Sequence, residues 1–152
     1  MKLDDFDLSI LRLLQKNVRL KSEVIAEQVG LSATACQRRI KRLREQGVID
    51  AEIAVLKPGA VGGWVTLLVQ VVLDRGGAHS VNDFKRQMRD APEVQQCYYV
   101  TGEYDFVLVV LARDMSEYDQ LTQRVFFENA LIRKFNTIVC MENVKTTLSL
   151  PL

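Results

Sequence analysis

The spacing of apolar residues changes rhythm once along the chain, between residues 50 and 63. Before that stretch it is helical. Phe6, Ile10 and Leu13/Leu14 recur every three to four positions, with Asp4 or Asp5 placed to cap the helix they define. Val24, Ile25 and Val29 give a second short helix its apolar face. Gly30-Leu31-Ser32 then interrupts: the glycine can take a positive φ at a helix end, and Ser32 can cap a third helix over 33–46, which Gly47 ends. Two short helices, a glycine turn and a third helix are the grammar of a helix-turn-helix. Ile53, Val55 and Leu56 suggest a short strand, while Lys57-Pro58-Gly59 and Gly62-Gly63 are turn signals. This divides the chain into a domain over 1–50, a connector over 51–63 and a second domain over 64–152.

Beyond residue 63 the pattern alternates strand and helix. Residues 64–73 form an apolar strand, and Val81, Phe84 and Met88 mark a helix closed by Asp90-Ala91-Pro92. Strands over 94–100 and 106–111 are joined by Thr101-Gly102-Glu103-Tyr104-Asp105, which reads as a hairpin connection. Met115, Tyr118, Leu121 and Val125 mark a further helix, capped by Asp114 or Ser116, and 135–144 is a last strand. The order βαββαβ is the ferredoxin-like arrangement, so the fold class is α+β: a (winged) helix-turn-helix followed by a four-stranded antiparallel sheet with two helices on one face. The other face is expected to expose Leu67, Val69, Val71, Val107 and Val109, or their alternates one residue along. An apolar patch of that kind marks an association surface, and pairing sheet to sheet would present two third helices with two-fold symmetry, suited to a palindromic site on double-stranded DNA.

Charge sharpens the reading of the third helix. Net charge is +1, but residues 1–50 hold ten Lys and Arg against seven Asp and Glu, and five of the seven residues 38–44 are basic. At 100° per residue, Cys36, Ile40 and Leu43 fall on one narrow seam; Thr34, Arg38, Lys41 and Glu45 lie opposite, with Gln37, Arg39 and Arg42 flanking. Small and polar residues at the leading end, with Arg and Lys behind them, suit a helix that reads a major groove. Gln37, Arg38, Lys41 and Arg42, with Thr34, are therefore expected to contact DNA, and Ser32 and Arg39 to touch phosphate.

Composition removes other classes. No window approaches ~18 consecutive apolar residues, so a membrane helix is not expected, and three acids within the first seven residues argue against an export signal. Cys36, Cys97 and Cys140 are odd in number and widely spaced, which suits free thiols in a reducing cytoplasm, Cys36 serving as a small core hydrophobe rather than a redox sensor. With one histidine, His79, in the loop-like 75–80, neither a zinc cluster nor a serine/histidine site is indicated. No nucleotide-binding loop or hydrolase motif occurs, so no cofactor, metal or enzymatic activity is expected.

The ordered set of motifs resembles the leucine-responsive regulator/asparagine regulator (Lrp/AsnC) family of transcription factors. It comprises Leu3-Asp4, Asp7-x-x-Ile10-Leu11-x-x-Leu14, Asn17, Arg19, Val29-Gly30-Leu31-Ser32, Arg39-Ile40-Lys41-Arg42-Leu43 and Gly47-Val48-Ile49. It continues with Thr101-Gly102-Glu103-Tyr104-Asp105-Phe106, Asp114-Met115 and Met141-Glu142-x-Val144-Lys145. Three positions depart from the family pattern: Lys21 and Val24 leave the second helix without its capping box, Ser22 standing in by a one-residue shift; Val18 replaces a glycine; Cys36 replaces a small aliphatic residue. The resemblance implies a sequence-specific regulator that forms homodimers through its sheet, often builds tetramers or octamers, and binds a small effector, an amino acid, between dimers. Carried over, the effector residues are Gly102, Tyr104 and Asp105, with Met115, Ile138, Val139 and Cys140 as wall. The bland reading is a hairpin turn capped by Asp105 and a wall that is core or interface. Two rivals remain: a non-specific DNA-organising protein, and a ferredoxin-like regulatory subunit of a metabolic enzyme.

Overall fold

The computed structural model describes residues 2–74 and 78–152. The chain divides into two compact units. One is Met1–Val55 with Thr146–Leu152, and the other is Leu56–Lys145. The boundary falls inside the expected connector, while the last seven residues join the first unit rather than the second.

The first unit holds three helices: α1 (Asp5–Lys16), α2 (Ser22–Val29) and α3 (Ala33–Glu45). Asp4 caps α1 by accepting from the Asp7 amide, and Asp7 returns the bond to the Asp4 amide. Gly30 ends α2 at φ 74°, and Ser32 caps α3 by accepting from the Ala35 amide. Ser22 is not a cap: it is the first residue of α2, and its hydroxyl accepts from the Gln37 amide group. The core is Ile10, Leu11, Leu14, Ile25, Ala26, Cys36, Ile40 and Leu43. Phe6 and Val24, expected inside, are exposed; Leu11 and Ala26 take those places, so each inward stripe is rotated by about one position. The short strand expected around Ile53–Leu56 does not form, and no wing strand accompanies α3 among the described residues. Ile53, Val55 and Leu56 are exposed, and with no neighbouring strand their amides have nothing to pair with.

The second unit runs β1 (Val65–Leu73), α4 (Ala78–Asp90), β2 (Val94–Tyr99), β3 (Phe106–Ala112), α5 (Met115–Thr122), a π-turn over Gln123–Phe127, and β4 (Ile132–Val139). The strands lie β2-β3-β1-β4, all antiparallel, which is the expected βαββαβ topology. His79 sits in the first turn of α4, not in a loop; residues 75–77 of that stretch lie outside the described residues. β4 starts earlier and stops earlier than expected: Ile132 already faces Leu73, Val139 faces Leu67, and after Cys140 donates a last bond to the Thr66 carbonyl it is the Asn143 side chain, not a backbone group, that reaches Thr66.

Register settles which face is which. Leu67, Val69 and Val71 pair with Val110, Leu108 and Phe106, and all six are fully buried against the helices with Phe84, Met88, Leu121 and Phe126. The expectation that Leu67, Val69 and Val71 share the open face with Val107 and Val109 is therefore corrected, since residues paired across an antiparallel ladder point to the same side. The open face carries Val107 and Val109 as expected, with Leu68, Gln70, Leu111 and Ile138 beside them, all partly or wholly accessible.

Candidate DNA-reading face and effector residues

α3 buries Cys36, Ile40 and Leu43 and turns Thr34, Gln37, Arg38 and Lys41 to solvent. Its first turn holds no acid, and its Ser32 cap leaves amide donors near an exposed end. Arg38 makes no hydrogen bond or ion pair among the described residues, Lys41 has only an exposed contact of 3.7 Å to Glu45, and Gln37 leans on Ser22 at 2.9 Å. Burial pushes the Cys36 thiol above its usual pKa, with Glu23 adding to the effect, so this sulfur is a poor nucleophile.

Arg39 and Arg42 are placed differently. Arg39 reaches Asp4 and Asp7 at 2.8 Å, and Arg42 grips both oxygens of Asp7 at 2.7 and 2.8 Å. Asp7 is 1% exposed, so one buried carboxylate at the start of α1 takes two guanidinium groups from the flank of α3. Arg39 also lies over the Phe6 ring, 5.4 Å from its centre. The Asp7 amide and then Arg39 hold the Asp4 carboxyl below the usual carboxylate range, and Asp7 and Asp4 raise the Arg39 guanidinium in turn. Arg39 and Arg42 thus tie the flank of α3 to the start of α1. The sequence reading missed the role of Asp4 and Asp7; the signal was two acids and two arginines, each pair three residues apart.

In the second unit the residues expected to meet an effector fall into two groups. Gly102 turns at φ 125° at the β2–β3 connection, beside Tyr104 and Asp105. The Asp105 amide donates to the Val71 carbonyl and its Oδ2 accepts from the Leu73 amide at 2.8 Å, so one carboxylate oxygen closes the end of β1. Lys134 of β4, not foreseen from the sequence, stands there as well, with its Nζ 5.9 Å from the centre of the Tyr104 ring and 4.0 Å from Glu103. Ile138, Val139 and Cys140 lie at the opposite end of the sheet, beside Leu68, Leu67 and Thr66. Met115, just past the β3 end that pairs with Val65, is half exposed at that same end. Val71 and Thr66 are five residues apart on β1, roughly 16 Å at the rise of a strand, too far for one amino acid to touch both groups. A cleft of about 630 Å³ between α4 and the chain after α5, lined by Asp90, Arg124, Glu128 and Leu131, contains none of these residues.

Comparison with known proteins covers nearly the whole chain. Residues 3–44 match the AsnC-type helix-turn-helix domain, and residues 66–150 match the Lrp/AsnC ligand binding domain. An uncharacterized HTH-type transcriptional regulator of Sinorhizobium fredii is 50% identical over 152 residues, all of this chain and 90% of that protein. The leucine-responsive regulatory protein of Haemophilus influenzae is 34% identical over 95% of this chain and 87% of its own. Among solved structures, an AsnC family transcriptional regulator from Agrobacterium tumefaciens superposes with a TM-score of 0.91 at 34% identity, covering 98% of this chain and 97% of that one. A Neisseria meningitidis transcriptional regulator in complex with L-Met gives 0.90 at 30% identity, over 99% and 97%.

Proposed function

The chain belongs to the Lrp/AsnC family of transcriptional regulators, and from that premise we propose that it binds a specific DNA sequence as a homodimer and answers to a small amino acid. The observation that carries the reading is α3: an outward row of Thr34, Gln37, Arg38 and Lys41, with Arg38 unpartnered among the described residues. Phosphate neutralisation supplies most of the affinity, and base-edge contacts from one or two of these side chains supply discrimination. Ser32 joins phosphate at the capped helix end. Arg39 and Arg42, held by Asp7, position the helix while their free edges remain near the backbone of the duplex.

The open sheet face pairs with that of a second copy, burying Leu68, Val107, Val109 and Ile138. Because the two effector groups stand roughly 16 Å apart in one chain, the site is completed between dimers in a tetramer or octamer. There Asp105 and Lys134 can meet an ammonium and a carboxylate, while Met115, Ile138, Val139 and Cys140 wall the side chain. The Neisseria protein's L-Met complex supports an amino acid as the class. No helix among the described residues is long and apolar enough to cross a membrane.

The test is a gel-shift titration against operator and random DNA. Wild type is expected to prefer the operator, and Arg38→Ala and Lys41→Ala to weaken it without altering the thermal midpoint; equal affinity for random DNA would sink the sequence-specific reading. For the effector, Asp105→Asn keeps an oxygen for the Leu73 amide and removes the charge. Loss of the L-methionine-induced rise in thermal midpoint, with the fold intact, is the outcome expected.

A further inference from the structure

The last residues of the chain do not end where the sheet ends. After β4, Cys140 donates to the Thr66 carbonyl and the Asn143 side chain reaches the Thr66 hydroxyl at 3.2 Å, so the chain is still fastened to β1. Seven residues later it is fastened to a different unit. The Leu150 amide donates to Gln15 Oε1 at 2.6 Å, and Gln15 Nε2 donates to the Leu150 carbonyl at 3.1 Å. Gln15 lies on the exposed face of α1, and residues 146–152 group with the three helices.

A primary amide is the side-chain group that mirrors a peptide, giving one donor and one acceptor in the same plane. Gln15 therefore treats Leu150 as a neighbouring strand would. Little else holds the segment: Leu148 and Leu150 remain 74% and 66% exposed, and neither enters the apolar core of the three helices. Docking made mostly of one reciprocal amide contact is weak and can be released.

We propose that residues 146–152 are a strap that docks on α1 through Gln15 and gives the DNA-reading unit a second restraint besides the connector near Val55 and Leu56. Six residues, 144–149, separate the anchor on β1 from the anchor on α1, and the strap begins six positions after Cys140. A change at that end of β4 therefore has a short covalent route to the reading helices. That regulatory meaning rests on the function proposed above; the docking itself does not.

Gln15→Glu and Gln15→Ala in the full chain test the docking. The first keeps the size of the side chain but can only accept; the second removes both bonds. Gln15 is exposed, so both variants are expected to fold with unchanged circular dichroism. Exchange of the Leu150 amide, followed by NMR, is expected to be several-fold slower in wild type than in Gln15→Ala, with Gln15→Glu, whose carboxylate still accepts from that amide, between the two; equal exchange in wild type and Gln15→Ala would overturn the strap. A chain ending at Lys145 tests the restraint. The ¹⁵N relaxation of α1–α3 is expected to show faster independent motion than in the full chain, and identical relaxation would overturn it. Gel shifts on wild type stand apart: failure to bind DNA would remove the regulator reading and leave both strap measurements standing.

Discussion

Asp7 is the residue on which most of the reading unit's polar order converges. Its carboxylate is buried, closes the first turn of α1 with Asp4, and carries Arg39 and Arg42. Asp7→Ala strands two guanidinium groups whose partner is gone, and since both arginines keep partial access to water the cost is expected to be roughly 2–3 kcal/mol in urea unfolding, below that of a fully buried pair. Asp4 is exposed and its folded pKa is depressed, first by the Asp7 amide and then by Arg39. A depressed carboxyl binds its proton more readily in the unfolded chain. Its stabilisation is therefore complete above the unfolded value of 3.8 and is lost as pH falls below it, through the folded pKa. Thermal midpoints of wild type and Asp4→Asn are expected to differ near neutrality and to converge in acid; a constant gap from pH 6 to pH 2 would contradict a stabilising role for the Asp4 charge. The inward seam of α3 was legible residue by residue, because 100° per residue places Cys36, Ile40 and Leu43 together whatever surrounds them. The fate of Arg39 and Arg42 was not, because the partners lie over thirty positions away and only the packing of α1 on α3 brings them within reach.

At the scale of elements, the starts of α1 and α3 and the end of α2 are set by local chemistry that the sequence displays, and these boundaries can be tested one at a time. Ser32 accepts from the Ala35 amide, and Ser32→Ala is expected to cost about 1 kcal/mol. Gly30 stands at φ 74° with nothing within 4 Å of where a Cβ would be, so Gly30→Ala pays conformational strain alone, about 1–2 kcal/mol, and Gly30→Asn less. A midpoint in urea that moves equally for Ala and Asn would assign the glycine a packing role instead. The strands were legible for the same local reason, through apolar runs bounded by turns. What failed was the strand expected over 53–56, the choice of face and the ends of β4. Leu67, Val69 and Val71 alternate just as their neighbours do, and only the ladder with β3 shows that they side with Phe106, Leu108 and Val110. β4 ends at Val139, opposite Leu67, while β1 runs on through Thr66 and Val65 beside β3, so the apolar pattern of residues 140–144 does not show where pairing stops.

For the molecule as a whole, the proposed pairing of the open sheet faces sets how many reading helices meet a duplex. Val107, Val109, Leu68 and Ile138 stand on that face, with Gln70 and Asn136 bonded to each other at 3.0 Å among them. Such a surface is self-complementary only if a two-fold axis crosses it, and then one α3 from each chain faces the DNA. Val109→Lys places a charge at its centre without touching the helical layer, since the side chain points away from the buried row. Sedimentation is expected to show loss of the dimer, with far-ultraviolet circular dichroism preserved. Operator affinity should then fall and its salt dependence become shallower, because the log–log slope of about −0.9 per phosphate contact counts the contacts of both α3 helices in the dimer but of only one in the monomer. A Val109→Lys protein that stays dimeric would place the interface elsewhere, and one that is monomeric yet keeps the wild-type slope would contradict contact by two α3 helices. The effector prediction belongs to this scale too. Asp105 and Cys140 sit at opposite ends of one sheet, so no sequence pattern within a single chain could have shown whether they serve one ligand.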